Sequence, residues 1–168
     1  QPLKTIETIY RGTNLVLDYC FRLPQLNKIV HLSSNQVYGK IEGEKLIRED
    51  MCGGMESTKF SNIYGEAKRI SESICSVYRN QYSLPIIVCR PFSFIGTYQH
   101  LDKPWAINNF IRDGLLGGPI RILGNGKIIR SYLYGSDLAY WLLTVLVKGE
   151  IGEIYNIGSS ESVTLNEL

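Results

Sequence analysis

Tyr64 and Lys68 are the residue pair whose types and spacing best suit acid–base chemistry in this sequence. They lie four positions apart in a segment with helical periodicity, so both side chains point to the same face of a helix. A tyrosine with an ordinary pKa of about 10 is a poor proton acceptor, but a neighbouring ammonium group favours its phenolate form. The pair could therefore accept the proton of a sugar or alcohol hydroxyl. An isolated pair at this spacing is more often structural, so the interpretation needs a second feature.

Ser33 and Ser34 are that second feature, because they lie where a predicted strand ends. Open α/β sheets bind their ligands beyond the carboxyl ends of their parallel strands. A hydroxyl group at this place could hydrogen-bond the same substrate oxygen that Tyr64 deprotonates. The alternative is a serine-rich turn without a function, which commonly follows a strand.

The elements that must position these residues alternate between helices and strands. Apolar residues at helical spacing predict helices over residues 3–23, 61–82, 105–116 and 137–147. Short apolar runs predict strands over residues 28–33, 85–90 and 154–157. This alternation indicates a parallel α/β sheet. Two extended segments, 120–123 and 128–134, are predicted around a tight turn at Gly124-Asn125-Gly126, and a helical capping box at Thr164–Glu167.

The composition excludes several classes of protein. Of the 168 residues, 44% are hydrophobic and 20% are charged, which is enough apolar material for a packed core. The 18 Lys and Arg residues against 16 Asp and Glu give a net charge of +2, so neither nucleic acid nor a membrane is an expected partner. No apolar run is long enough to span a bilayer. The four cysteines have no metal-ligand spacing, so we expect reduced thiols, no metal site and a cytoplasmic location.

Five motifs occur in an order that is typical of one enzyme family. They are Ser33-Ser34-Asn35-Gln36-Val37-Tyr38-Gly39, Tyr64-Gly-Glu-Ala-Lys68-Arg-Ile-Ser-Glu72, Arg90-Pro-Phe-Ser-Phe-Ile-Gly96, Arg130-Ser-Tyr-Leu-Tyr-Gly-Ser-Asp137-Leu-Ala and Tyr155-Asn-Ile-Gly158. With these motifs the chain resembles the extended short-chain dehydrogenases/reductases, and among them the NAD-dependent nucleotide-sugar epimerases and dehydratases. The resemblance covers nearly the whole chain. It implies the C-terminal part of a Rossmann-like, doubly wound parallel sheet, with part of a small α+β substrate-binding region.

The same resemblance implies roles for individual residues. It makes Tyr64 the catalytic base, Ser34 its assistant, and Lys68 the residue that binds the cofactor ribose and favours the phenolate. The implied cofactor is NAD, bound by Ser33, Tyr64, Lys68 and Pro91, with NADP left open. The implied substrate is a nucleotide-diphosphate sugar, bound by Asn35, Gln36, Ser93, Leu123 and Arg130, of which Arg130 holds the diphosphate.

Two departures from the family pattern refine these expectations. The first is that the 168 residues contain no glycine-rich phosphate-binding turn, which in the family lies near the N-terminus. We therefore expect the chain to be a fragment of a longer enzyme, and we expect this fragment alone to be inactive. Its expected parts are the second half of the dinucleotide-binding domain (residues 1–91), a partial substrate region (92–152), and a strand that returns to the sheet with the start of a truncated helix (153–168).

The second departure is at Asn35 and Gln36, where family dehydratases commonly have Asp and Glu. Carboxamides do not exchange protons at neutral pH, so these residues cannot be the acid and base that eliminate water. This favours an epimerase, or a simple oxidoreductase, that acts at sugar C4 through a 4-keto intermediate. The alternatives are a dTDP-glucose 4,6-dehydratase-type lyase and a non-catalytic binding or scaffold protein. The resemblance further implies a role in polysaccharide biosynthesis and a homodimer through helices 3–23 and 61–82.

Overall fold

The computed structural model describes residues 1–41 and 46–168. In these two ranges the helices are α1 (Pro2–Phe21), α2 (Ile63–Tyr82), α3 (Ala106–Leu115) and α4 (Gly135–Lys148). The strands are β1 (Ile29–Leu32), β2 (Ile86–Pro91), β3 (Ser93–Ile95), β4 (Ile129–Arg130), β5 (Tyr132–Tyr134), β6 (Ile154–Ile157) and β7 (Val163–Thr164). Two short 3-10 helices, η1 (Asn35–Tyr38) and η2 (Phe60–Asn62), lie between β1 and α2.

The chain divides into two compact units. The first unit consists of residues 1–91 and 141–157, and the second of residues 92–140 and 158–168. The predicted catalytic residues all belong to the first unit.

A parallel three-stranded sheet forms the centre of the first unit, in the order β1-β2-β6. The central strand β2 is buried along Ile86–Arg90, as expected of a strand with neighbours on both sides and cover on its faces. In register, Leu32 of β1 pairs with Cys89, and Arg90 of β2 pairs with Asn156 of β6. The prediction of an α/β fold with a parallel sheet is confirmed.

Helices α1 and α2 pack against each other and against this sheet. Their shared core contains the buried Leu17 of α1 and Cys75 of α2, together with Leu84 and Ile86, which follow α2 in the chain. Helix α2 ends at Ser83, which has a left-handed backbone (φ 56°) and whose N–H bonds the Tyr78 carbonyl oxygen.

The second unit differs from the sequence-based prediction in its strand pairing. Strands β3 and β5 pair in parallel, and β4 pairs antiparallel with β7. The predicted extended segment 120–123 forms no strand: the backbone N–H and guanidinium of Arg121 donate instead to the Asp113 carboxylate at the end of α3. The predicted capping box does form, since Glu167 accepts from the Thr164 N–H and donates its own N–H to the Thr164 hydroxyl.

Candidate functional site

The carboxyl end of β1 presents two buried serines. The Ser33 N–H continues the sheet by donating to the Cys89 carbonyl at 2.7 Å, whereas its buried hydroxyl has no hydrogen-bond partner among the described residues. Ser34 is the N-cap of η1, and its Oγ accepts from the Gln36 N–H at 3.2 Å. Buried hydroxyls normally have partners, so the Ser33 hydroxyl is a group that a ligand could satisfy.

Tyr64 and Lys68 lie together on the first two turns of α2. The Lys68 Nζ is 5.9 Å from the centroid of the Tyr64 ring and donates to the Leu32 carbonyl oxygen at 2.7 Å. Partial burial lowers the pKa of Lys68 below its usual value, although the nearby Cys75 and Glu72 oppose the shift. The Tyr64 side chain is 38% exposed and open to solvent. The Lys68 ammonium group thus connects Tyr64 to the end of β1, which Ser33 and Ser34 directly follow.

The start of α2 lies directly against η1. A Cβ at Gly65 would be only 2.8 Å from the Gln36 carbonyl oxygen, so only a glycine permits this approach. The Arg69 guanidinium donates to the carbonyl oxygens of Val37 (2.7 Å) and Gly53 (3.0 Å). These contacts hold η1 beside the turn of α2 that carries Tyr64.

A buried network connects η1 to the rest of the first unit. The Arg90 guanidinium donates to both carboxylate oxygens of Glu72 at 3.0 and 2.7 Å. Its Nη1 also donates to the Tyr38 hydroxyl at 2.9 Å, and that hydroxyl donates to Asn156 Oδ1 at 2.7 Å. Burial alone would disfavour the Arg90 charge, but the bonds to Glu72 and Tyr38 raise its pKa above the usual value.

His31 connects β1 to α2. Its Nε2 is 3.0 Å from the Ser71 hydroxyl, which in turn donates to the Lys68 carbonyl oxygen at 2.8 Å. Burial, reinforced by the Lys68 charge, lowers the pKa of His31 to about 4. The ring is therefore neutral at physiological pH and helps to hold α2 on β1.

The structure brings one group of predicted residues together and places the others in separate elements. The group around the end of β1 consists of Ser33, Ser34, Asn35, Gln36, Tyr64 and Lys68. Pro91 is the last residue of β2. Ser93 begins β3, the 83% exposed Leu123 lies outside any strand, and Arg130 ends β4, all within the second unit.

Sequence reasoning did not assign the network residues Tyr38, Glu72, Arg90 and Asn156 to the site. A signal was present for one of them, because Arg90 ends an otherwise apolar run that reads as a buried strand. A buried arginine requires a carboxylate and further acceptors. The identity of those acceptors is not visible in spacing, since Glu72 and Asn156 lie in other elements.

In the described ranges, no group of three or more His, Cys, Asp or Glu residues could hold a metal ion. Nor does any helix there have the length and apolar character needed to cross a membrane.

Comparisons with known proteins identify the family and the fold of the chain. A family model described as the NAD dependent epimerase/dehydratase family matches residues 1–158. A trifunctional UDP-glucose 4,6-dehydratase/UDP-4-keto-6-deoxy-D-glucose 3,5-epimerase/UDP-4-keto-L-rhamnose-reductase from Arabidopsis thaliana is 32% identical over 166 residues. That match covers 98% of this chain and 24% of the plant protein.

Solved structures resemble the chain over nearly all of its length. UDP-glucuronic acid 4-epimerase from Bacillus cereus, in complex with UDP-glucuronic acid and NAD, superposes with a TM-score of 0.83 at 29% identity. A dTDP-glucose 4,6-dehydratase from Bacillus anthracis, in complex with NAD, superposes with a TM-score of 0.86 at 28% identity. These matches cover 96% and 99% of this chain but only 49% and 51% of the solved chains. The chain therefore spans about half the length of these relatives.

Proposed function

Because the chain belongs to the NAD dependent epimerase/dehydratase family, we propose that the whole protein oxidises a nucleotide-linked sugar at C4 through a 4-keto intermediate. The observation that carries this proposal is the placement of Tyr64 and Lys68 against the end of β1, next to Ser33 and Ser34. That arrangement provides a proton acceptor, a cation beside it and two hydroxyls in one place.

The residues at the end of β1 fit an NAD cofactor. The buried Ser33 hydroxyl lacks a partner among the described residues, and the Lys68 ammonium has three N–H donors, of which one bonds Leu32. Under this proposal Ser33, Tyr64 and Lys68 hold the nicotinamide riboside end, with Pro91 at the end of the adjacent strand. Both solved relatives described above are complexes with NAD, which when bound supplies the hydride acceptor.

The chain's own residues then move one proton and orient one oxygen. Ser34 hydrogen-bonds the C4 hydroxyl of the sugar, and the Tyr64 phenolate accepts its proton. The Lys68 ammonium lies beside the Tyr64 ring, with its Nζ 5.9 Å from the ring centroid. The family resemblance further assigns Arg130 to the substrate diphosphate, and Ser93 and Leu123 to the nucleotide sugar.

The reaction is proposed to be C4 epimerisation rather than dehydration. Elimination of water requires an acid for the leaving hydroxyl and a base for the C5 proton. Asn35 and Gln36 lie on η1 beside the start of α2, and neither amide can supply these functions. Epimerisation needs only Ser34, Tyr64, Lys68, the cofactor and room for the keto-sugar to present its other face. The solved relatives include an enzyme of each kind, so a 4,6-dehydratase is the second candidate.

The test is to incubate the whole protein with a panel of UDP- and dTDP-hexoses and identify the products by NMR. We expect C4 epimers and no 4-keto-6-deoxy sugar. A 4-keto-6-deoxy product would show that another residue supplies the acid and base, and would favour the dehydratase. In that case the double change Asn35→Asp with Gln36→Glu would add little, whereas in an epimerase it would supply the missing carboxylates.

We further propose a homodimer that pairs α1 and α2 with the same helices of a second copy. Both helices have large apolar side chains on their exposed surfaces, including Leu15 (67% exposed) and Tyr19 (65%) on α1 and Ile70 (44%) and Val77 (46%) on α2. Exposed apolar residues at helical spacing on two adjacent helices suit a four-helix interface.

A further inference from the structure

We propose that Tyr38 is a positioning residue for catalysis, through which the buried Arg90–Glu72 ion pair and Asn156 set Ser34 relative to Tyr64. This inference rests on the proposed function, in which Ser34 and Tyr64 act on the same substrate oxygen. It adds a role for side chains that do not touch that oxygen.

The helix η1 is only one turn long and is held at both ends. At its start, Ser34 is 8% exposed and caps the turn. At its end, Tyr38 is 1% exposed, and its hydroxyl both accepts from Arg90 and donates to Asn156. The Arg90 Cζ also lies 4.7 Å from the centroid of the Tyr38 ring. The Tyr38 hydroxyl therefore anchors the end of the turn that Ser34 begins, in addition to the Arg69 bond to the Val37 carbonyl oxygen.

Helix α2 is held by the same Arg90 guanidinium. Glu72 lies one helical turn after Lys68 and two turns after Tyr64, and both of its carboxylate oxygens accept from Arg90. A two-bond ion pair of this kind restricts both rotation and sliding of a helix, because its geometry is planar. Arg90 therefore fixes α2 and η1 against the same point on β2.

The sheet contributes residues of two adjacent strands, β2 and β6, to the network. Asn156 is the register partner of Arg90 across β2 and β6, so the two residues face the network from adjacent strands. The Asn156 amide also donates to the Ile47 carbonyl oxygen, and its backbone N–H donates to the Glu49 carboxylate. The network joins β2, β6, α2 and η1 and lies on the most buried strand of the unit, which makes it a rigid reference point.

A purely stabilising role accounts poorly for this arrangement. Replacing a buried ion pair by well-packed apolar residues is often neutral or stabilising, so such a pair is weak evidence for stability. What the network does provide is a fixed distance between two segments that carry reacting groups. A displacement of about 1 Å between such groups can reduce a rate about 100-fold.

The test is the change Tyr38→Phe in the whole protein, which keeps the buried ring and removes the bridging hydroxyl. We expect kcat for the nucleotide sugar to fall about 10- to 100-fold, with KM changed by less than about threefold. The matched control is Tyr78→Phe, which removes a hydroxyl that also donates to an asparagine, Asn14, but lies between α1 and α2. The control should keep kcat within about twofold of wild type, and an unchanged kcat in Tyr38→Phe overturns the proposal.

A double-mutant cycle separates positioning from folding. If Tyr38 acts by placing Ser34, then Tyr38→Phe should cost less than about twofold in kcat when Ser34→Ala is already present. A role in folding alone would lower kcat by the same factor in both backgrounds, and that result overturns the proposal.

Amide hydrogen exchange tests the same inference without turnover. The Gln36 N–H donates to Ser34 Oγ and the Val37 N–H to the Ser34 carbonyl. The Gln36 and Val37 amides should both exchange about tenfold faster in Tyr38→Phe, whereas the exchange rates of the β2 amides should not change. In the Tyr78→Phe control, the Gln36 and Val37 amides should exchange at the wild-type rate. Equal exchange in wild type and Tyr38→Phe overturns the positioning role. If wild type turns over no nucleotide sugar but the exchange result holds, the proposed function fails and the structural placement of Ser34 by Tyr38 stands.

Discussion

At the scale of single residues, Tyr64 is the group on which the proposed chemistry depends. Its side chain is 38% exposed, with the Lys68 ammonium 5.9 Å from its ring centroid. The change Tyr64→Phe removes the proton acceptor and should lower kcat by a factor of about 10²–10⁴ while substrate affinity stays near wild type. Steady-state kinetics with calorimetric substrate titration measures both. A variant with kcat within a few-fold of wild type would leave Tyr64 as a packing residue.

The buried His31 should make the free energy of unfolding depend on pH. Burial, with the charge of Lys68, lowers its pKa from 6.5 to about 4 in the folded state. The unfolded chain therefore takes up the proton first as the pH falls, so this contribution is complete above pH 6.5 and is lost between pH 6.5 and about pH 4. The expected loss of unfolding free energy is at most about 3 kcal/mol.

Urea unfolding at several pH values measures the effect of His31. The change His31→Gln should flatten the pH dependence in this window, whereas His100→Gln, at an exposed residue, should leave it as in wild type. Equal slopes in wild type and His31→Gln would mean that carboxylates elsewhere cause the pH dependence.

The local part of the site could be predicted from the sequence, but its supports could not. The place of the two serines at the end of β1, and of Tyr64 and Lys68 on one face of α2, follows from short-range rules, because a strand end and a four-residue helical spacing are visible in one chain segment. The choice of Ser34 as the catalytic serine depends on the family resemblance and stays a prediction. The bonds from Arg90 to Glu72 and Tyr38 join residues from β2, α2 and η1. Which polar groups meet in a core depends on how the elements pack, and no periodicity encodes it.

At the scale of elements, the contact between α2 and η1 depends on Gly65. In the variant Gly65→Ala the added Cβ would lie 2.8 Å from the Gln36 carbonyl oxygen and 2.9 Å from the Met55 methyl group. The methionine can move but the backbone oxygen cannot, so we expect a loss of about 1–3 kcal/mol in stability and a fall in kcat. Thermal unfolding and steady-state kinetics measure these effects.

Gly114 in α3 is the matched control for Gly65, because nothing lies within 4 Å of a Cβ built there. The change Gly114→Ala should leave stability unchanged or raise it by about 0.5–1 kcal/mol, through the better helix propensity of alanine. If Gly65→Ala also raised stability, η1 would have to be free to move away from α2.

The elements themselves were predictable where their pattern is local. Helices α1 and α2 follow from amphipathic stripes, and β2 from an apolar run, because each pattern is set by the element's own environment. The pairing of β4 with β7 was missed, since its partner comes more than thirty residues later and only two residues of each strand take part. The Gly124-Asn125-Gly126 turn suggested a local hairpin, but Ile120 and Leu123 remain exposed beside it.

At the scale of the whole molecule, the exposed apolar faces of α1 and α2 predict self-association. The change Val77→Glu places a charge at the proposed interface and should shift the protein from dimer to monomer, because an unpaired charge is costly to bury. Sedimentation velocity over a range of concentrations measures the shift. Leu123→Glu, at a residue that is 83% exposed in the second unit, is the control and should stay dimeric. A Val77→Glu variant with wild-type sedimentation would place the contact elsewhere.

The order in which the sheet is completed has a consequence for synthesis on the ribosome. β2 pairs with β1, which precedes it, and with β6, in which Ile154 meets Val88. Residues 92–140 of the other unit are translated between these two pairings. The nascent chain can assemble α1, β1, α2 and β2 early, but the far edge of β2 stays unpaired until residue 157 has emerged. For that interval the most buried strand of the finished unit has an open edge, whose unpaired N–H and C=O groups are a template for pairing with other chains.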